Sequence, residues 1–179
     1  GNIFGHVKGI ENMGSLAEWT GKQFDPRLNW GDVEWIKKRW GGKLILKGIM
    51  DAEDARLAVD SGADALIVSN HGGRQLDGAP SSIAALPGIV QAVGKDIEVW
   101  MDGGIRSGQD VLKARALGAR GTLIGRSFLY GLGAYGELGV MRVLEIIRKE
   151  LDLTMAFCGR TDINTVDTSI LLPGTYPTP

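Results

Sequence analysis

Cysteine is nearly absent: Cys158 is the only one in 179 residues. A lone thiol excludes an internal disulfide, so a packed core must hold the fold, and it fits a reducing compartment. No apolar run approaches the ~20 residues that span a bilayer as a helix. An excess of either charge is missing too: 20 Lys and Arg stand against 21 Asp and Glu, a net charge of -1. That balance excludes a global field drawing the chain to nucleic acid or membrane. Histidine is scarce, with only His6 and His71. His6 lies in irregular sequence with no cysteine or acidic cluster at ligand spacing, so no metal site is expected. Cys158 has no histidine near it and reads as a core or interface thiol rather than a nucleophile. The chain opens Gly1-Asn2-Ile3-Phe4-Gly5, without methionine or a basic run. No secretory leader is therefore expected, and the segment reads as a piece of something longer.

What is plentiful is glycine, 27 residues, mostly at the ends of apolar runs. This placement suggests many tight strand-to-helix turns. Residues 1–30 read as irregular, with a short helix over Met13–Trp19 capped by Ser15. From there the pattern turns regular. Gly31-Asp32 caps a helix to about Trp40, with Val33, Ile36 and Trp40 on one stripe. Leu44-Ile45-Leu46 reads as a strand ending in Lys47-Gly48. The acidic turn Asp51–Asp54 opens a helix that stops at Gly62. Ala65–Val68 is a second strand, followed by a helix over about Ser82–Val93. Val99–Met101 is a third strand, followed by a helix over about Gly108–Leu117. Thr122–Ile124 is a fourth, and a long helix is expected over about Gly136–Met155. Gly131-Leu132-Gly133-Ala134-Tyr135-Gly136 matches G-x-G-x-x-G but follows no strand directly, so it reads as a loop before a helix. The tail, residues 161–179, reads as a polar surface excursion.

Apolar strands alternating with helices predict an α/β fold with a parallel sheet buried on both faces. The unit around Asp54, Ala58 and Gly62-Ala63 lines up with that around Asp110, Ala114 and Gly118-Ala119. Such repeats build a (β/α)8 barrel of the TIM type, which needs eight units in about 250 residues. Four are present, so the chain reads either as half of a barrel or as a small open sheet. A half-barrel would expose two sheet edges that associate with something.

Each strand ends in polar chemistry, and in parallel α/β folds all strand C-termini share one face. Lys47, His71, Arg74, Asp102, Arg106 and Arg126 are therefore expected to converge. Four cations in one mouth, on a chain of near-zero net charge, suit an anion. Gly103-Gly104-Ile105-Arg106-Ser107-Gly108 and Gly125-Arg126 suit a phosphate, held by close backbone and by a helix N-terminus with free N–H groups. The plainer alternative is that these glycines only make turns. Alone, His71 would read as a structural histidine. With Arg74 three residues on in a glycine loop, a general base beside a carboxylate-binding arginine is preferred. Lys47 reads as a fixed positive charge in the pocket. Asp102 either caps the next helix or accepts ligand hydroxyls.

These stretches resemble the FMN-dependent 2-hydroxy acid oxidase/dehydrogenase family. The matches are Leu46-Lys47-Gly48, Ser69-Asn70-His71-Gly72-Gly73-Arg74-Gln75-Leu76-Asp77, Asp102-Gly103-Gly104-Ile105-Arg106-Ser107-Gly108 and Leu123-Ile124-Gly125-Arg126. They span about residues 28–160, and the opening is most similar to the bacterial respiratory L-lactate dehydrogenase branch. The resemblance implies FMN as cofactor and oxidation of an L-2-hydroxy acid such as L-lactate. Lys47 would lie by the flavin N1/C2=O edge, Ser69 would bond the isoalloxazine and Asp102 the ribityl chain. Gly103, Gly104, Arg106, Gly125 and Arg126 would hold the phosphate. His71 would be the base and Arg74 the partner of the substrate carboxylate.

The family's first four units, with their substrate-side tyrosines and the aspartate that orients the histidine, have no counterpart here. The chain is therefore expected to comprise a loop segment (1–30), the C-terminal half of an FMN-binding barrel (31–160) and a tail (161–179). It would need the N-terminal half as a partner and be inactive alone. By the same resemblance it would form a homo-oligomer, a tetramer, in the cytoplasm or peripheral on the cytoplasmic face of the inner membrane. A different phosphate-binding barrel enzyme, inosine-monophosphate-dehydrogenase-like, is the alternative. The lack of a cysteine near residues 72–82 counts against it.

Overall fold

The computed structural model describes residues 6–179. Its sheet has four parallel strands in sequential order: β1 (Ile45–Ile49), β2 (Ala65–Val68), β3 (Glu98–Met101) and β4 (Gly121–Thr122). The helices are α1 (Met13–Gly21), α2 (Trp30–Trp40), α3 (Ala52–Asp60), α4 (Ser82–Val93), α5 (Gly108–Ala116) and α6 (Arg126–Phe157). Sequential order and right-handed crossovers put α3, α4 and α5 on the same side of the sheet. Such a singly wound sheet is what a barrel wall requires, whereas a doubly wound fold reverses its strand order.

Register explains where the core lies. Leu46, Leu66 and Val99 are cross-strand neighbours, as are Val68 and Met101. They point to the helices and pack with Ala55 and Ala58 of α3, Leu86, Ile89 and Val93 of α4, and Ala114 of α5. Alternate residues Lys47, Ile67 and Trp100 form the next row and face away. The expectation of burial on both faces holds for β2 and fails at β1. On the helix-free face Ile45 is 55% exposed, while all four residues of β2 are buried by their neighbours.

Several boundaries differ from the sequence expectations for local reasons. Asn12 caps α1, and Ser15 is the reciprocal partner three residues on. Asn29 caps α2 in the same manner with Asp32. The α2 stripe does not reach the core, since Ile36 and Trp40 are both exposed. β1 runs on through Lys47-Gly48 to Ile49, with an irregularity in its pairing to β2 at Gly48. The glycine-rich stretch 131–136 is not a loop. It lies within α6, which starts directly after β4 and turns at Tyr135-Gly136. The two limbs, 126–134 and 137–157, meet backbone to backbone at Gly131 and Gly139. A Cβ on Gly139 would lie 1.9 Å from the Gly131 carbonyl oxygen. The tail packs more than expected: Val166 is buried, and Leu171 and Tyr176 lie against the core.

At the N-terminal end of the sheet, Asp64 ties three elements together. Its carboxylate accepts from the Lys37 ammonium of α2, from Lys43 at 2.9 Å and from the Leu44 N–H at 2.8 Å, just before β1. The Lys37 bond, then the Leu44 N–H and Lys43, hold this carboxyl well below the usual carboxylate range. A lowered folded-state value means that the ionised form stabilises the fold. The contribution is complete above the unfolded value near pH 4 and is lost as pH falls through the folded value. Asp64→Asn in the full-length natural protein is therefore expected to lower the melting temperature at pH 7. The gap to the parent should shrink as the pH is taken below about 4. A gap that stays constant over that range would contradict this assignment.

Candidate active site

The strand C-termini open on a groove of about 380 Å³. It is lined by Lys47, His71, Arg74, Asp102, Gly103, Gly104, Arg106, Gly125 and Arg126, so nine of the ten residues singled out in the sequence share one cavity. The tenth, Ser69, is 1% exposed and lies behind the surface. Its hydroxyl oxygen accepts from the Lys47 ammonium at 3.0 Å and from the His71 backbone N–H at 3.1 Å. It thereby joins the loops after β1 and β2.

The loop after β2 has an unusual backbone. His71 (φ 56°), Gly72 (67°) and Gly73 (74°) are three successive residues in the left-handed region. Among the described residues, His71 is the only non-glycine with positive φ. Such a conformation costs roughly 1–2 kcal/mol for an L-residue, so the surroundings must hold it. The Asn70 side chain does much of this: its Oδ1 accepts from Gly72 N–H at 3.0 Å and its Nδ2 donates to the Pro80 carbonyl at 3.1 Å. The Ser82 hydroxyl at the start of α4 accepts from the Asn70 N–H at 3.2 Å. Gly103 completes the arrangement, because a Cβ there would lie 3.0 Å from Ser82 Oγ and 3.2 Å from Asn70 Oδ1. Asn70 and Ser82 thus position the candidate base, and the sequence reading missed both. The signal available was an Asx residue directly before a glycine turn.

The charges divide unevenly. Lys47 pairs with Asp102 at 2.9 Å. The guanidinium groups of Arg74, Arg106 and Arg126 make no ion pair or side-chain hydrogen bond among the described residues. Arg126 reaches across the groove, its Nη2 3.6 Å from where a Cβ on Gly72 would stand. Three guanidiniums with free donors in one groove suit anionic ligands carrying several oxygens.

The helix N-terminus after Gly103-Gly104, expected to present free N–H groups to an anion, is already satisfied by protein side chains. At α5, the Asp110 carboxylate accepts from the N–H groups of Arg106 and Ser107, both at 3.0 Å. Ser107 Oγ caps the Asp110 N–H at 3.3 Å, and Glu150 of α6 accepts from the Gly108 N–H at 2.9 Å. That terminus is closed by its own side chains. The open one belongs to α6, which begins beside the same groove with no side-chain cap and no acidic residue in its first turn. The first N–H groups of a helix lack intrahelical partners, and their dipole favours an anion. Gly104 (φ 82°) and Gly125 leave open space, with nothing within 4 Å of where a Cβ would stand. Ile105, Leu123, Ile124 and Leu129 add an apolar wall that the sequence reading did not assign, and Ser127 lines the groove beside them.

Three comparisons bear on this geometry. The family model described as FMN-dependent dehydrogenase matches residues 4–173. An L-lactate dehydrogenase of Caulobacter sp. (strain K31) is 50% identical over 169 residues, which is 94% of this chain and 44% of that protein. One of Pseudomonas syringae pv. syringae (strain B728a) is 49% identical over 172 residues, 96% of this chain and 45% of the relative. Among solved structures, the monotopic membrane protein (S)-mandelate dehydrogenase superposes with a TM-score of 0.84 at 40% identity, over 92% of this chain and 43% of that one. Mandelate oxidase with (S)-4-hydroxymandelic acid gives 0.79 at 46% identity, over 83% of this chain and 42% of that one. The chain thus spans a little under half the length of the relatives it matches. With a match running through nearly all of its described residues, the chain belongs to the FMN-dependent dehydrogenase family.

Proposed function

We propose that this chain supplies the FMN-binding and proton-accepting wall of an enzyme oxidising an L-2-hydroxy acid, with L-lactate as the substrate. The observation that carries the reading is the groove. One candidate base, three unpartnered guanidiniums, a Lys–Asp pair and an uncapped helix N-terminus meet at the strand C-termini. The curated relatives cited are named L-lactate dehydrogenase, and they support lactate over the larger mandelate of the structural neighbours. Family membership also weighs against an inosine-monophosphate-dehydrogenase-like activity.

The residues present fit FMN. The phosphate dianion would lie at the α6 N-terminus against Gly104 and Gly125, between Arg106 and Arg126, where no Cβ competes for space. Asp102 would accept from ribityl hydroxyls, and Lys47 would face the electron-rich edge of the ring system, with Ser69 behind it. When bound, the flavin supplies a two-electron acceptor for the substrate's C2 hydrogen. Lys47, kept in place by Asp102 and Ser69, offers a fixed positive charge close to where negative charge develops. Arg74 binds the substrate carboxylate as a planar fork. His71 accepts the proton that the substrate releases as its C2 carbon becomes a ketone carbon. Ile105, Leu123, Ile124 and Leu129 exclude water from one side of the groove.

The wider organisation follows the same reading. The open β1 and β4 edges and the helix-free face suit closure by four further β/α units, without which the chain would lack activity. We expect a homo-oligomer, cytoplasmic or held peripherally at the membrane; the peripheral placement is supported by the structural neighbour named a monotopic membrane protein. No helix of the described residues is long and apolar enough to cross a membrane.

Anaerobic mixing of the FMN-loaded, full-length natural protein with L-lactate tests this directly, and the flavin absorbance should bleach. Persistence of the oxidised spectrum with every 2-hydroxy acid offered would sink the reading. His71→Gln is expected to keep the flavin but slow its reduction by about 10²–10⁴-fold, the usual worth of a positioned base. Arg74→Lys, which retains charge but not the fork, should raise the lactate KM by about tenfold or more. An unchanged KM would place the substrate carboxylate elsewhere.

A further inference from the structure

We infer that Gly48 is a positioning residue for the His71 imidazole, its missing side chain forming the seat against which the ring is held. The inference rests on the function proposed above for what His71 does, but its structural part stands independently. Gly48 lies in β1, directly after Lys47, where pairing to β2 skips: Lys47 faces Ile67 and Ile49 faces Val68. Such a bulge bends the strand and re-aims its neighbours. Its φ is 100°, a conformation open to glycine and strained for other residues.

The second constraint is contact. A Cβ on Gly48 would stand 2.8 Å from His71 Cε1, 3.6 Å from Nε2 and 3.8 Å from Nδ1. The ring edge carrying both nitrogens therefore rests on the β1 backbone. Neither ring nitrogen has a hydrogen-bond partner among the described residues, since the only bond at His71 beyond its own turn runs from its backbone N–H to Ser69. The backbone of His71 is fixed by Ser69 and Asn70, yet from this chain the ring is fixed only by packing. Gly48 provides the closest part of that packing. A methyl group there would meet the end of a rotatable side chain rather than backbone, so the ring would be pushed out of place while the sheet persists.

Gly48→Ala in the FMN-loaded, full-length natural protein tests this, with Gly62→Ala as the control. Gly62 has a similar left-handed φ, 83°, but lies at the opposite end of β2 from the groove. Gly48→Ala should lower kcat per bound flavin by about 100-fold, the effect of an ångström-scale misplacement of a reacting group. KM should stay within about threefold, because Arg74 is untouched. Gly62→Ala should change neither. Melting temperatures give a readout independent of activity: Gly48→Ala should cost less in a His71→Ala background than alone, since the clash is gone and only the strained φ remains. If Gly48→Ala alone fails to accumulate, the His71→Ala double variant should restore soluble protein. Additive melting shifts, absent rescue, or a wild-type kcat per flavin in Gly48→Ala would each overturn the inference. A wild-type protein that no 2-hydroxy acid reduces would instead remove the functional reading and leave the melting-temperature coupling to decide the structural one.

Discussion

The left-handed turn at His71–Gly73 is the constraint on which the site depends. Three successive positive φ values are unfavourable for any chain, and the first of them is not a glycine. The turn is held because backbone and side-chain groups from several elements converge on it: Ser69 at the end of β2, Asn70 within the loop, Pro80 before α4 and Ser82 at its first turn. In return, the turn sets the histidine ring against β1 and carries Arg74 to the groove. Strain kept at one loop is tolerable here because β2 and α4, the elements flanking it, contribute the most deeply buried side chains of the core. A rigid scaffold holding a strained loop is the usual arrangement where geometry must be fixed before a ligand arrives.

Charge placement follows a second logic, in which some groups are satisfied within the protein so that others stay available. Lys47 is paired with Asp102 and bonded to Ser69, which holds a flexible side chain to one position. The α5 N-terminus is closed by Asp110, Ser107 and Glu150. Along the groove, what remains open is the N-terminus of α6, flanked by Arg106 and Arg126; α4 also lacks a side-chain cap, but its first residues do not line the groove. An open N-terminus beside two guanidiniums makes this end of the groove the one that suits an anion. The backbone contact between Gly131 and Gly139 lets the short first limb of α6 leave β4 directly and fold back on the second limb. That second limb carries Glu150, so the crossing that positions the open terminus also delivers the carboxylate that closes the neighbouring one.

Much of this was legible in the sequence because it is local. Ala65–Val68 and Ser82–Val93 stand where apolar runs, turn residues and cap signals put them. That the charged candidates would share one groove was readable from the rule that parallel strands deliver their C-termini to one face. The parts that were not legible are long-range. Glu150 lies 42 residues from the N–H it accepts, and no local pattern announces that pairing. The glycines at 131–136 read as loop because glycine disfavours helix, whereas Gly131 in fact permits a close helix crossing with Gly139, a partner known only once the chain is folded. Burial on both faces was inferred from apolar strands, but hydrophobicity cannot say which chain segment supplies the second cover. The caps were misassigned by two or three residues because in a reciprocal pair such as Asn12 and Ser15 either member resembles a cap.

The groove is asymmetric, and the asymmetry assigns tasks. Arg106, Arg126, the open α6 terminus and the apolar wall stand on the side of β3, β4 and α6, and the Lys47–Asp102 pair spans from β1 to the loop after β3. His71 and Arg74 stand on the side of β1, whose outer edge is unpaired and whose Ile45 is exposed. A ligand lying across this groove would have its phosphate end enclosed by residues 102–129 and its reactive end beside an open face. Selectivity for a substrate side chain would need a wall opposite Arg74. On the function proposed above, cofactor affinity and proton acceptance are the tasks that fall to these residues. On the same proposal, the size of the accepted hydroxy acid would be set by whatever covers the β1 edge. Such a division accounts for relatives named for lactate and for mandelate sharing this half at 40–50% identity.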